Sequence, residues 1–106
     1  MNTETKILSD LKDHLIKNYG AAIKDVILFG SKSRGDSNEY SDYDVLIVLS
    51  KHYSSSDENQ ILDLCYDINL KYNILLDVHL ISTKELDSLR GKQPIFTNAL
   101  KSGIYA

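Results

Sequence analysis

A single cysteine, Cys65, leaves this chain unable to close an internal disulfide and fits a reducing compartment. It falls at the apolar spacing of a predicted helix, which makes it a buried structural thiol rather than a nucleophile. Long apolar runs are also missing. The opening MNTETKILSD has no hydrophobic region of the kind a secretion signal carries, and nothing approaches membrane-spanning length. No membrane contact and a cytoplasmic location are therefore expected. An excess of positive charge is the third absence: 12 Lys and Arg stand against 15 Asp and Glu, a formal net charge of −3. Affinity for a long nucleic acid comes mainly from basic residues neutralising phosphates, so direct binding of that kind is not expected. A single small phosphate ligand is a different matter, since a metal can supply the positive charge. Repeats, linkers and low-complexity tracts are absent too, and the 106 residues suit one domain, 1–106, with one core.

What is present reads as a short alternation of helices and strands. Thr3 to Asn18 places Ile7, Leu8, Leu11 and Leu15 on one helical face, and Gly20 is a natural stop. Val26 to Phe29 is too short for a helix and rich in strand formers. Gly30 to Ser41 has the composition of a loop with room for one helical turn. Asp42 to Leu49 alternates so that Asp42, Asp44, Leu46 and Val48 share one face and Tyr43, Val45, Ile47 and Leu49 the other. Both faces turn apolar after Asp44, which predicts a central strand covered on both sides. Ser55 and Glu58 stand at capping-box spacing before a helix whose face carries Ile61, Leu64, Cys65, Ile68 and Tyr72, with Asn73 as its left-handed end. Ile74 to Ile81 predicts a third strand with Leu75, Asp77, His79 and Ile81 on one face. Ser82 and Glu85 open a short helix to about Leu89, Pro94 opens a last one that Gly103 ends, and Ile104 and Tyr105 can add an edge strand. Few of these connections have the βαβ form, so the fold class expected is α+β, a small mixed sheet flanked by helices.

The chemistry concentrates in Leu28-Phe29-Gly30-Ser31-Lys32-Ser33-Arg34-Gly35 and in Ser41-Asp42-Tyr43-Asp44. A buried strand runs into Gly-Ser, and a second strand then opens with two aspartates on one face. Strand residues two apart are separated by roughly 6.6 Å of backbone, so their carboxylates can converge on one ion. Asp77 interrupts the otherwise apolar Ile74-Leu75-Leu76-Asp77-Val78 and can join them if its strand lies beside the second. Two unit charges 4 Å apart repel by roughly 4 kcal/mol at an effective dielectric of 20, so three clustered carboxylates require protons or cations. All-oxygen ligands point to Mg²⁺ or Mn²⁺, and a pair of such ions could orient a triphosphate. Gly30 lets backbone approach a phosphate closely, the Ser31 hydroxyl adds a donor, and Lys32 and Arg34 can offset phosphate charge.

Other motifs fit less well. Gly30 and Gly35 have P-loop spacing, but Asp36 stands where the lysine belongs. A Ser31–His79–Asp77 triad lacks the nucleophile elbow around its serine. His79 is read as a surface or hydrogen-bonded histidine, with a place lining the cleft as the less favoured alternative, and His14 and His52 as surface residues. Tyr66, Tyr72 and Tyr105 are read as packing or interface aromatics.

Gly30-Ser31, ten residues, then Asp42-x-Asp44 resembles the signature of the DNA polymerase beta-like nucleotidyltransferases. The minimal nucleotidyltransferase branch is the nearer match, through Arg34, Gly35, Ser41, Asp77 and the ending Asn98-Ala99-Leu100-Lys101-Ser102-Gly103-Ile104. Tyr40 and Tyr43 depart from its usual residues, and Tyr43 bears on packing rather than chemistry. The resemblance implies the nucleotidyltransferase fold, with Asp42 and Asp44 as metal ligands and Asp77 as a further ligand or base. Gly30 and Ser31 would hold the triphosphate. It also implies an NTP donor, ATP foremost, and an acceptor site supplied by another molecule, as no second domain is expected within the chain. In that branch the partner is often a HEPN-domain toxin, which receives AMP on a tyrosine from its antitoxin. Two other functions are compatible with the residues: a catalytically idle antitoxin that binds by contact alone, and a small-molecule nucleotidyltransferase completed by a second subunit. Ile104 and Tyr105 could serve either partner binding or self-association.

Overall fold

The computed structural model describes residues 3–30, 43–88 and 90–106. Helix α1 (Thr3–Asn18) buries the predicted face of Ile7, Leu8, Leu11 and Leu15, and Gly20 follows it at a φ of 118°. Strands β1 (Ile23–Phe29) and β2 (Tyr43–Leu49) come next, then helix α2 (Ser55–Tyr72) and strand β3 (Leu76–Ser82). A single turn of helix, α3 (Thr83–Leu86), precedes α4 (Pro94–Ser102) and the two-residue strand β4 (Ile104–Tyr105). The sheet order is β3-β2-β1-β4; β2 runs parallel to β3, whereas β1 is antiparallel to both β2 and β4. The architecture is the expected α+β one, a mixed sheet with helices on its faces, and β2 is central.

Two cores follow from the strand alternation. Tyr43, Val45, Ile47 and Leu49 join Val26, Leu28, Leu76 and Leu80 on the face covered by α1 and α2. Leu46 and Val48 lie with Ile27 and Ile81 on the other face, beneath Phe96 and Ala99 of α4. Cys65 is buried in the first core, and this burial pushes its thiol up to about 12. Pro94 occupies the first turn of α4, where its missing N–H costs nothing.

Several boundaries differ from the sequence reading. The cap of α2 is Ser54, not Ser55: its hydroxyl accepts the Asp57 N–H at 3.2 Å, and the Asp57 carboxylate accepts the Ser54 N–H at 2.9 Å. Tyr53, immediately before it, donates its hydroxyl to the Leu80 carbonyl at 3.2 Å and so fixes where the chain turns into the helix. Strand β1 starts at Ile23, which is buried opposite Leu49, rather than at Val26. Strand β3 starts at Leu76 rather than Ile74, because the end of α2 claims the intervening backbone. Asn73 is left-handed at a φ of 53°, the Ile74 N–H donates to the Asn69 carbonyl, and the Leu76 N–H donates to the Asn69 side chain at 3.0 Å. Helix α3 stops at Leu86, where Asp87 caps it and Ser88 and Gly91 turn back to donate to the Glu85 carbonyl. Its Ser82–Glu85 capping box is the predicted one.

Candidate active site

At one end of the sheet β1 leaves and the parallel pair β2 and β3 enters, and there the acidic residues meet. Asp44 and Asp77 are register partners across β2 and β3, so their side chains leave the same face from adjacent strands. Two residues along β3, His79 lies opposite Leu46 on that face. One ligand-type atom from each of Asp44, Asp77 and His79 lies within 4.8 Å of the other two. The Asp77 side chain is 52% exposed and that of His79 only 26%, so the group opens to solvent at Asp77 and is closed at the imidazole. Beneath it, Leu46, Ile27 and Ile81 form an apolar floor.

Gly30 closes the cluster on the β1 side. It holds a φ of 78°, a conformation that L side chains rarely adopt, and a Cβ there would run into the Asp44 carboxylate. Phe29, the register partner of Asp44 on β1, leans on the His79 ring with centroids 5.7 Å apart. The His79 Nε2 is 3.6 Å from Asp77 Oδ2, too long for a hydrogen bond, and it is buried with no hydrogen-bond partner among the described residues.

Of the residues singled out in the sequence, Asp44, Asp77 and Gly30 are brought together. Asp42, Ser31, Lys32 and Arg34 lie outside the described residues, as does the serine of the alternative triad. His79 differs from expectation: the structure turns its buried nitrogen toward the carboxylates instead of leaving it on the surface or hydrogen-bonded. The signal was the two-residue period from Asp77, which already put His79 on the acidic face. Elsewhere the histidines are peripheral, with His14 at 2.8 Å from Asp67 on the exposed side of α1 and α2. Tyr72 is bonded to Asp10, while Tyr66 and Tyr105 are exposed.

The sequence profile of the nucleotidyltransferase domain family matches residues 8–104. The chain belongs to this family. It is accordingly a nucleotidyltransferase. A Methanocaldococcus jannaschii protein named as a protein adenylyltransferase is 33% identical over 100 residues, covering 94% of each chain. Among solved structures, a toxin–antitoxin with AMP-PNP superposes with a TM-score of 0.62 at 18% identity, covering 98% of this chain and 72% of the other. The toxin–antitoxin MntA–HpeT gives 0.61 at 14% identity, covering 92% and 69%. At such identities the structural likeness speaks to the fold.

Nucleotidyltransferases generally use a divalent cation, and the donors here are of the kind that binds one. Donors bound at about 2.1 Å around an octahedral ion stand about 3.0 Å apart when adjacent and about 4.2 Å when opposite. The ligand-type atoms of Asp44, Asp77 and His79 lie within 4.8 Å of one another, the His79–Asp77 pair at 3.6 Å. Carboxylates on adjacent strands beside a buried nitrogen with no hydrogen-bond partner among the described residues are suitable chemistry for such an ion. The residues fit the group.

Proposed function

We propose that this nucleotidyltransferase moves AMP from ATP to a hydroxyl of a partner protein, and that Asp42, Asp44 and Asp77 are the acidic residues on which the transfer depends. The observation that carries this reading is the register pairing of Asp44 with Asp77 beside Gly30, inside a chain that belongs to the family. The choice of AMP and of a protein acceptor is supported by the relative named as a protein adenylyltransferase and by the shared fold of toxin–antitoxin proteins, one of them with AMP-PNP.

In this mechanism the acceptor oxygen attacks the α-phosphorus of ATP, a new P–O bond forms, and the bond to pyrophosphate breaks. The acceptor's proton passes to a carboxylate, for which Asp77, the more open of the cluster, is the assigned base. A divalent cation, Mg²⁺ or Mn²⁺, would be held by Asp42, Asp44 and Asp77 and would supply charge neutralisation for the triphosphate. Gly30, lacking a side chain, leaves the backbone free to approach the phosphates, and Ser31, Lys32 and Arg34 add donors and positive charge to them. The apolar floor of Leu46, Ile27 and Ile81 keeps water from the inner side of the carboxylates.

The acceptor we assign is a tyrosine of a HEPN-type toxin, for which the chain is the antitoxin. The test is incubation of the purified protein with Mg²⁺, ATP labelled at the α-phosphate and a HEPN protein from the neighbouring gene. Label on a tyrosine of that protein is the expected result, and its absence when the label is instead at the γ-phosphate identifies AMP as the group moved. Neutralisation of the toxin that persists unchanged in Asp44→Asn and Asp77→Asn would mean that contact alone suffices.

A further inference from the structure

We propose that His79 is a nitrogen ligand of the same cation, which biases this site toward Mn²⁺ over Mg²⁺; the inference rests on the metal-dependent reading above. Three observations carry it. His79 shares a strand face with Asp77 and stands beside Asp44's strand, so the imidazole projects into the group of carboxylates. Its Nε2 is buried without a hydrogen-bond partner among the described residues. A buried imidazole nitrogen left without a partner costs free energy, and a bound cation would supply one. At 3.6 Å from Asp77 Oδ2 the nitrogen is beyond hydrogen-bonding range yet at a distance two ligands of one ion can share.

The packing supports a fixed orientation. Phe29 packs against the ring from β1, with centroids 5.7 Å apart, and the His79 side chain is only 26% exposed. The choice of metal follows from ligand chemistry. Mg²⁺ takes oxygen almost exclusively and keeps its waters, whereas imidazole nitrogen is an ordinary ligand for first-row divalent cations. A site of carboxylates alone suits Mg²⁺ and Mn²⁺ alike; one imidazole added to it suits Mg²⁺ poorly and shifts the preference toward Mn²⁺.

The test is pulsed electron paramagnetic resonance on the full chain with Mn²⁺ and inorganic tripolyphosphate, which contains no nitrogen of its own. Nitrogen modulation typical of a directly bound imidazole is expected from the unaltered protein and is expected to vanish in His79→Gln, which keeps His14 and His52. Competition of Mg²⁺ against bound Mn²⁺ should become more effective in the same variant than in the unaltered protein. Mn²⁺ bound with no nitrogen modulation in the unaltered protein overturns the role of His79 and leaves the carboxylate site standing. Mn²⁺ binding that is indifferent to both Asp44→Asn and Asp77→Asn overturns the carboxylate site itself, and His79's role with it. The first outcome requires no variant, so a folding defect in His79→Gln cannot obscure the answer.

Discussion

Single side chains at the mouth of β2 and β3 make the sharpest distinction between chemistry and packing. Asp77 is half exposed and joins neither core, so Asp77→Asn should leave the unfolding free energy within about 1 kcal/mol of the parent. The same change should lower nucleotidyl transfer by at least about 100-fold, read as release of labelled pyrophosphate, because it removes a negative charge from the cluster and the base proposed above. Gly30→Ala behaves differently. Its left-handed backbone costs roughly 1–2 kcal/mol with a Cβ, and the added methyl displaces the Asp44 carboxylate. Chemical denaturation and activity should therefore fall together in that variant. Cys65 is the opposite case, a reactive atom type in an inert place. With its thiol pushed up to about 12 by burial, modification by a disulfide reagent at pH 8 should be at least about 1,000-fold slower in the native protein than in urea.

Helix ends and helix pairs carry predictions of their own. Ser54→Ala removes one half of the α2 capping box and should cost roughly 1 kcal/mol, a drop of about 4–8 °C in melting temperature. Ser55→Ala, one residue on, should cost much less, and calorimetry of the two variants checks the boundary directly. Between α1 and α2, the Tyr72 hydroxyl and then the Lys71 ammonium hold the Asp10 carboxyl below the usual carboxylate range. A carboxyl depressed in the folded state contributes stability that is complete above its unfolded value of about 3.9 and is lost as the pH falls through its folded value. The advantage of the parent over Tyr72→Phe in urea midpoint should therefore be largest near neutrality and shrink below about pH 4. Elements were largely legible from periodicity because their apolar faces are clean: the buried face of α1 and the apolar positions of β2 from Tyr43 to Leu49 fall as expected. Their ends were less so. Asn69 diverts residues that are apolar enough to be strand, and Tyr53 selects one serine among three, and neither contact has a signature in local sequence.

Across the molecule, the decisive fact is a pairing over a long sequence separation. Asp44 and Asp77 were each conspicuous as acids in apolar runs, and the sheet order puts their strands side by side in register. His79 was visible on that face, but its place beside Asp44 depended on which strand lies next to β3, and its buried Nε2 lacks a hydrogen-bond partner among the described residues; periodicity encodes neither. Apolar residues and the helical layers pack against both faces of the sheet that carries these strands. The most direct measurement is calorimetric titration of a non-hydrolysable ATP analogue into the protein, with Mg²⁺ or with chelator, in the parent and in Asp44→Asn and Asp77→Asn. Binding that requires the cation and weakens by about tenfold or more in each variant is the predicted result. Equal affinity in chelator, or affinity untouched by both substitutions, would contradict a metal-dependent nucleotide site built on these two strands.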